Sequence, residues 1–191
     1  MRIAVAGTLV VLGVAPAAEA VETLGYETEA VFDDVEIRRY APHLAATARV
    51  DADFESAGNR AFPSLFGFID GANATNEKIS MTAPVLQTTG DEGFEVSFVM
   101  PRRYARATLP SPSSEAIHIR EVPSRKMAVL TYSGRWTQER YERNEARLRE
   151  KEAELGYRVC GEPQWARHDP PFMPFFLRRN EVLIPVAKAE C

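Results

Sequence analysis

The sequence predicts an α+β fold in which a mostly antiparallel sheet carries two helices. Several stretches alternate apolar and polar residues as half-buried strands do, for example Val35–Tyr40. Two others, beginning near Phe54 and Thr137, place apolar residues three and four positions apart, the spacing of one helix face. Short pieces also recur: Ile37-Arg38 returns 82 residues later (119 − 37) as Ile119-Arg120. We therefore expect a duplicated strand-strand-helix-strand-strand unit that forms a distorted, barrel-like sheet of about eight strands.

The predicted elements follow the same order in both halves of the chain. The first half has strands at 35–40 and 44–50, a helix at 54–69, and strands at 79–88 and 94–101. The second half has strands at 117–120 and 127–132, a helix at 137–155, and extended stretches around 165 and at 180–186. A loop rich in proline and serine, residues 106–116, separates the two halves.

The helix boundaries are predicted from capping residues as well as from spacing. Asp51 or Asp53 is positioned to cap the first helix, and Pro63 inside it predicts a kink or a locally tighter turn. The second helix is highly charged and carries only a narrow apolar stripe of Tyr141, Leu148 and Leu155. Gly156 follows that helix, where glycine is a common C-terminal cap.

Length and charge limit the possible functions. A chain of 191 residues, 45% hydrophobic and 26% charged, is typical of one folded domain, which we expect to be a monomer. The formal net charge is −4, and glutamates interleave the basic residues of the second helix. That run is typical of a solvated helix face, and no basic patch indicates a nucleic-acid partner.

The first 20 residues have the pattern of a secretory signal peptide. Arg2 precedes an apolar run, Ile3–Val14, and Ala18-Glu19-Ala20 supplies the small residues that a signal peptidase requires. The run is shorter than the ~20 residues of a membrane-spanning helix. We expect cleavage after Ala20, a domain at 21–191, a periplasmic or secreted location and no stable membrane insertion afterwards. The alternative is an uncleaved N-terminal anchor.

The two cysteines, Cys160 and Cys191, allow two interpretations. In an oxidising compartment they can form a disulfide. Cys191 is the last residue, however, and chain ends are usually mobile, which favours free thiols. Two thiols without clustered histidines do not match a structural zinc site.

Several motifs stand out between about Tyr26 and Val186: Tyr26-Glu27-Thr28, Glu36-Ile37-Arg38-Arg39-Tyr40, Asn76–Val85, Asp169-Pro170-Pro171 and Leu177–Val182. In this order and spacing, they resemble the SOUL haem-binding protein family. The resemblance implies two repeats with two helices, similar to the effector-binding domains of some bacterial regulators. It also implies that haem and related porphyrins bind in a groove beside the first helix.

A porphyrin is a flat apolar ring with two propionates, so its site needs aromatic or methionine walls and a basic rim. The candidate binding residues are Phe62, Leu65, Phe66, Met81 and Met173 for the walls, and Arg60 for the rim. Filling the core is the competing interpretation, and it is favoured for Phe62 and Leu65. Phe66 lies off the main apolar stripe of the helix, so contact with a ligand is weighted evenly there.

Two arginines, Arg178 and Arg179, precede the last predicted strand. They can pair with Asp169, Glu181 or Glu36. A structural ion pair is favoured over contact with a ligand, because a planar guanidinium also suits carboxylates within a protein.

Two positions depart from the family pattern. Arg39 stands where one branch of the family has a histidine proposed as the axial haem ligand, and a guanidinium cannot ligate iron. Asn59 and Gly67 stand where some members carry basic residues on the first helix, although Arg60 is adjacent. Ligand contacts of the family therefore do not transfer directly, and we expect weak haem binding with metal-free porphyrin as an alternative ligand.

Three histidines remain as possible iron ligands. His43 follows the break after the first strand and is the predicted metal ligand. His118 alternates with isoleucines on a strand and is expected to face solvent, and His168 lies in a loop before Asp169. A neutral imidazole is a suitable ligand for iron, but a single imidazole is more often structural.

The function predicted from these observations is extracytoplasmic tetrapyrrole binding, in haem carriage or buffering, without catalysis. One alternative is a carrier or sensor of other apolar or aromatic small molecules. Another is an enzyme that acts on a ligand in the groove through Glu or Tyr side chains, or through Cys160 as nucleophile and His168 as base. No nucleophile motif surrounds Cys160.

Overall fold

A computed structural model of the protein describes residues 21–191. It contains two helices, α1 (Phe54–Ile69) and α2 (Gln138–Glu154), and a short 3-10 helix, Phe175–Leu177. The strands of the first half are β1 (Glu22–Thr23), β2 (Tyr26–Phe32), β3 (Val35–Tyr40), β4 (His43–Val50), β5 (Thr82–Ala83), β6 (Val85–Thr89) and β7 (Phe94–Val99). Those of the second half are β8 (Ile117–Val122), β9 (Arg125–Tyr132), β10 (Arg158–Val159), β11 (Gln164–Arg167) and β12 (Asn180–Ala187).

Ten of these strands form one antiparallel sheet. Its order is β2-β3-β9-β12-β11-β6-β7-β4-β8, with β10 beside β12. The sheet does not close on itself, because β2 and β8 remain at its two edges. The remaining strands, β1 and β5, form a small parallel pair. The predicted α+β class with a mostly antiparallel sheet and two helices is confirmed; β2 and β10 account for the two strands beyond the expected eight.

Strand pairing confirms the duplicated unit. The first repeat consists of β3, β4, α1, β6 and β7, and the second of β8, β9, α2, β11 and β12. The first strand of each repeat pairs with the second strand of the other, since β3 pairs with β9 and β8 with β4. The third strands, β6 and β11, pair with each other at the centre. Because the repeats exchange strands in this way, they form a single domain.

Helix α1 has the predicted bounds. The side chain of Asp53 accepts a hydrogen bond from the backbone N–H of Ser56 at 2.8 Å, which caps the helix start. The core face of α1 packs against β4 and β7 through Ala57, Ala61, Leu65, Phe68 and Ile69. Pro63 lies on the exposed side, so its ring does not disturb this packing.

Helix α2 packs against the other half of the same sheet face. Tyr141 and Leu148, both predicted from the apolar stripe, are fully buried against β9 and β12. Leu155, the third predicted stripe residue, is only half-buried and follows the last turn. The burial of Glu152 on this face departs from the prediction that the charged residues of α2 are solvated.

The opposite face of the sheet is also buried, because side chains alternate between the two faces of each strand and the sheet curls around its own inner surface. This inner cluster contains Tyr40, Leu86, Val99, Met127, Val129, Ala166 and Leu183. Within residues 21–191, no helix combines the length and apolar character needed to cross a lipid bilayer. The predicted signal peptide, residues 1–20, lies outside the described residues.

The two cysteines form a disulfide, which corrects the preference for free thiols. The Cα atoms of Cys160 and Cys191 are 5.4 Å apart. The C-terminus is held near Cys160 because β10 pairs with the end of β12 and the Cys160 N–H donates to the Pro185 carbonyl at 2.7 Å. The prediction of free thiols relied on Cys191 being the last residue. It failed because strand pairing holds the last residues against the sheet.

Candidate functional site

The outer face of α1 presents two stacked phenylalanines. Phe62 and Phe66 are one helical turn apart and are 44% and 45% exposed. Their ring centroids are 5.5 Å apart with an interplanar angle of 14°. Phe62 also meets the buried ring of Phe98 on β7 edge-on, with centroids 5.8 Å apart. The result is an exposed apolar surface, hereafter the phenylalanine surface, which Phe98 anchors to the core.

A guanidinium lies beside this helix. Arg167 at the end of β11 approaches α1 at Gly58, where an added Cβ atom would clash with the arginine Nη1. Its Nη2 donates to the side-chain oxygen of Gln87 at 2.8 Å, and its carbon Cζ lies 5.0 Å from the centre of the Trp136 ring. The glycine thus leaves space for the guanidinium of Arg167 between α1 and Trp136, which lies just before α2.

The loop between β11 and β12 brings a second arginine to Trp136. Arg178 lies over the Trp136 ring at 4.5 Å and donates to the carbonyls of Met173 (2.8 Å) and Pro171 (2.5 Å). Two guanidinium groups, from Arg167 and Arg178, therefore contact the same indole ring. Arg167 was not predicted as a site residue. Arg178 was predicted to form a structural ion pair, but its guanidinium donates to these backbone carbonyls instead.

Of the predicted site residues, the structure brings together Phe62 and Phe66. The prediction that Leu65 contacts a ligand is wrong, because Leu65 is fully buried in the core and has no exposed surface for a ligand. Arg60 is exposed on α1, where it donates to the backbone carbonyl of Asp51 at 2.9 Å. The two methionines lie on other segments: Met81 is 36% exposed just before β5, and Met173 is half-buried in the β11–β12 loop.

His43 lies away from the phenylalanine surface. It begins β4 and points to the sheet face opposite the helices, since the next residue, Leu44, packs with α1. It lines a cavity of about 450 Å³ whose walls include Leu24, Val99, Tyr104 and Val122. The prediction that His43 ligates a metal bound beside α1 is therefore wrong, because the alternation of side chains along β4 directs His43 to the other face of the sheet.

The imidazole of His43 is held in one orientation. Its Nδ1 lies 3.0 Å from the Ala41 carbonyl, so Nδ1 carries the proton that is donated to this acceptor. Burial lowers the pKa of His43, and the charge of Arg125 acts in the same direction. The neutral ring leaves Nε2 buried without a hydrogen-bond partner among residues 21–191.

The other histidines do not face α1 either. His118 on β8 is exposed, as predicted, and His168 Nε2 lies 2.8 Å from Glu181 Oε2. In the part of the chain that the structure describes, no three His, Cys, Asp or Glu side chains are close enough to hold a metal ion. The side chains beside α1 therefore match in kind the apolar ring and acidic substituents of a tetrapyrrole, but no histidine of residues 21–191 lies among them to ligate the central metal.

Glu181 forms the centre of a buried ionic cluster on the inner face of the sheet. It is 1% exposed and accepts hydrogen bonds from Arg38 (2.9 Å) and Arg179 (2.7 Å), in addition to its contact with His168. Although burial opposes ionisation, the hydrogen bond from His168 and the charge of Arg38 hold the pKa of Glu181 well below its usual range. Glu181 is thus a fixed anion, and the predicted structural ion pair is confirmed for Arg179.

The duplication repeats this arrangement in weaker form. Glu95, at the matching position of β7, pairs with Arg120 at 2.5 Å and with Arg49 at 2.9 Å, and both arginines are largely exposed. Both clusters tie the first strand of one repeat to the fourth strand of the other. They explain Arg38 and Glu181 as elements that join the repeats.

The disulfide removes one enzymatic alternative. Cys160 has no free thiol while it is bonded to Cys191, so it cannot act as a nucleophile with His168 as base. His168 is in addition committed to Glu181.

Solved structures with the same fold include the C-terminal domain of EcmrR. That domain is 13% identical, with a TM-score of 0.64 over 86% of this chain and 99% of its own. A hydrolase from Listeria innocua is 8% identical, with a TM-score of 0.57 over 83% of this chain and 94% of its own. These likenesses establish the fold alone. A comparison with curated protein sequences finds no significant match.

The family model described as SOUL heme-binding protein matches residues 21–185, which is nearly all of the described chain. The matched region includes both repeats, the phenylalanine surface and the β11–β12 loop. The expected family is confirmed, and with it haem as the ligand class for which the family is described. This protein belongs to the SOUL heme-binding family.

Proposed function

We propose that the protein binds a tetrapyrrole on the phenylalanine surface beside α1. The observation that carries this proposal is the stacked, half-exposed pair of Phe62 and Phe66 in a member of a haem-binding family. Large aromatic side chains seldom remain side by side at a surface without a partner, and a flat ring is the ligand that covers such a pair most completely.

Arginines supply the complementary charge. Arg167 lies next to α1 at Gly58, and Arg60 is exposed on the helix itself. Guanidinium groups match the geometry of carboxylates, so both residues are suited to hold the propionates at the rim of the ring. Haem, when bound, supplies an iron centre for redox or ligand chemistry. Since no histidine of residues 21–191 faces this surface, the ring contributes most of the binding energy and metal-free protoporphyrin binds about as well.

The role that follows is reversible carriage or buffering of tetrapyrrole outside the cytoplasm. The leader-like residues 1–20 and the disulfide between Cys160 and Cys191 support an extracytoplasmic site, because disulfides persist in oxidising compartments. The test is the intact mass of protein recovered from the periplasm or medium, expected to correspond to a chain that begins at Val21. A full-length chain recovered from the cytosol contradicts the location.

The binding site is tested by titrating the mature domain with haem and with protoporphyrin while following the Soret band. Phe66→Asp places an unpaired charge against the ring and removes apolar contact, so we expect binding about 10- to 100-fold weaker. The matched control is Val31→Asp on β2, at a site 63% exposed and away from α1. His43→Ala is expected to change the affinity little.

The opposite pattern contradicts the mechanism. If protoporphyrin fails to bind and His43→Ala abolishes haem binding, metal ligation rather than ring contact is responsible. The ligand then occupies the cavity that His43 lines.

That cavity supports a second candidate function, the carriage of smaller apolar molecules. Its volume of about 450 Å³ is within the range of ligand pockets, roughly 300–1,000 Å³, and many of its walls are aliphatic. A thermal-shift screen of flat and aliphatic compounds with the wild type and a Val99→Trp variant tests it. A stabilising compound whose effect survives in the tryptophan variant does not bind there.

A further inference from the structure

We propose that the uncharged loop segment Pro170–Leu177, hereafter the aromatic loop, docks the protein reversibly on the surface of an anionic lipid bilayer. The proposal does not depend on tetrapyrrole binding. It rests on three features of the loop: the exposure of its apolar side chains, the rigidity of its backbone and the charges that surround it.

The aromatic loop displays its apolar side chains to solvent. Phe172 is 84% exposed, Phe176 61%, Leu177 62% and Phe175 42%. None of the eight residues of the segment carries a charge. Four large apolar side chains on one short segment are far more than the isolated exposed residues that a soluble surface normally carries.

The backbone of the loop is fixed in this conformation. Arg178 donates to the carbonyls of Pro171 and Met173, and the Met173 N–H donates to the Pro170 carbonyl at 3.0 Å. The Gly134 N–H donates to the Phe175 carbonyl at 3.1 Å, which ties the loop to the segment before α2. The exposed side chains are therefore presented by a braced turn, and little ordering entropy is lost when they insert.

Cationic side chains surround the aromatic loop. The guanidinium of Arg135 lies 4.8 Å from the centre of the Phe175 ring, Arg178 lies within the loop's base, and Arg140 lies against Gly134. Within residues 21–191, none of these three arginines pairs with a carboxylate. One carboxylate also flanks the segment: Asp169 precedes Pro170 and accepts a hydrogen bond from the Arg179 N–H at 2.6 Å. The three arginines outnumber it at the loop, although the formal net charge of the whole chain is −4. Apolar insertion combined with local positive charge is the pattern of peripheral binding to anionic lipid.

The size of the surface favours a bilayer over a protein partner. The four exposed side chains offer a few hundred Å² at most, at ~150–250 Å² for each aromatic residue when fully buried. A stable protein interface buries ~800 Å² on each partner. A small protruding apolar tip with a cationic base suits shallow insertion between headgroups instead.

The test is co-sedimentation of the ligand-free mature domain with vesicles of phosphatidylcholine alone or mixed with phosphatidylglycerol. We expect binding to the mixed vesicles and much weaker binding to the neutral ones. The double variant Phe172→Ser/Phe176→Ser is expected to reduce the partition coefficient by about 10-fold or more. The control Val31→Ser removes an equally exposed apolar side chain elsewhere and leaves binding unchanged.

The charge contribution is tested separately. Arg135→Gln/Arg140→Gln is expected to weaken binding to the mixed vesicles by several-fold, and to lose its effect at high salt. Arg158→Gln on β10, an exposed arginine at the opposite end of β12, is the matched control. Lipids brominated near the headgroup should quench the fluorescence of Trp136, which lies beside the loop. Trp165 is buried, so its fluorescence should remain unquenched and serves as the reference.

Three outcomes overturn the proposal: no binding to the mixed vesicles, binding that the double serine variant leaves unchanged, or quenching of neither tryptophan. If the aromatic loop instead mediates self-association, sedimentation velocity without lipid shows dimers that the serine variant loses, and the vesicles remain unbound. Failure of the Soret titration in lipid-free buffer contradicts the tetrapyrrole proposal alone, since the vesicle assay contains no porphyrin.

Discussion

Glu152 on α2 tests how the core affects stability, because its carboxyl group is buried without a hydrogen-bond partner among residues 21–191. The side chain is 1% exposed, and neither carboxylate oxygen has a hydrogen-bond partner among residues 21–191. Burial raises the pKa of Glu152 from its ordinary value of 4.5 to about 7, and Glu145 acts in the same direction against Arg149. The last turn of a helix also disfavours an anion. We expect Glu152→Gln to stabilise the protein at neutral pH.

The magnitude follows from the linkage between protonation and folding. Below pH 4.5 the carboxyl group is neutral in both the folded and the unfolded chain, so the substitution has little effect there. Between pH 4.5 and 7 the unfolded chain ionises while the folded one stays protonated, and wild-type stability falls as the pH rises. Above pH 7 the loss levels off near 3 kcal/mol, at ~1.4 kcal/mol for each pKa unit.

Thermal unfolding of the wild type and Glu152→Gln across pH 4 to 8 measures this effect. The melting temperature of the variant should exceed that of the wild type by about 5–10 °C at pH 7.5, and the difference should vanish near pH 4. Glu150→Gln, at an exposed site on the same helix, is the control. A difference that is independent of pH, or a variant less stable at pH 7.5, refutes the reasoning.

Two further predictions concern the links between distant parts of the chain. Arg38→Ala leaves the buried carboxylate of Glu181 without one of its main partners, and should lower the free energy of unfolding by about 3–5 kcal/mol in urea denaturation. A loss below 1 kcal/mol contradicts a joining role for this pair. Non-reducing peptide mapping should recover Cys160 linked to Cys191, and reduction should lower stability by about 2–4 kcal/mol. Both thiols reacting with an alkylating agent in the native protein rules out the disulfide.

The duplicated architecture was predictable because it depends on local patterns. The apolar stripe Phe54–Ile69 and a cap at Asp51 or Asp53 predicted the bounds of α1, and the structure selects Asp53. The recurrence of Ile37-Arg38 as Ile119-Arg120 marked equivalent strands. Strand exchange between the repeats was not predictable, since pairing partners depend on contacts between residues about 80 positions apart. The burial of Glu152 was also missed, because a glutamate in a charged helix has the same local pattern whether it is solvated or buried.

The candidate site was also predictable only in part. Phe66 was recognised because it lies off the core stripe of α1, and its stacking on Phe62 follows from helical spacing. Arg167 was missed, because its position beside Gly58 depends on how β11 ends under the helix. The one available signal was a glycine on the buried side of a helix, where a residue with higher helix propensity is usual.

The sequence by itself determined the family, the α+β class, the repeat and the helix bounds, since each follows from residue spacing and local chemistry. Only the tertiary structure decided which candidate residues meet. It separates His43 from Phe62 and Phe66, because successive strand residues face opposite sides of the sheet. It also joins Cys191 to Cys160, because the pairing of β10 with β12 returns the C-terminus to the sheet. Contacts between residues that are distant in the sequence depend on the register and curvature of the whole sheet, to which every strand contributes.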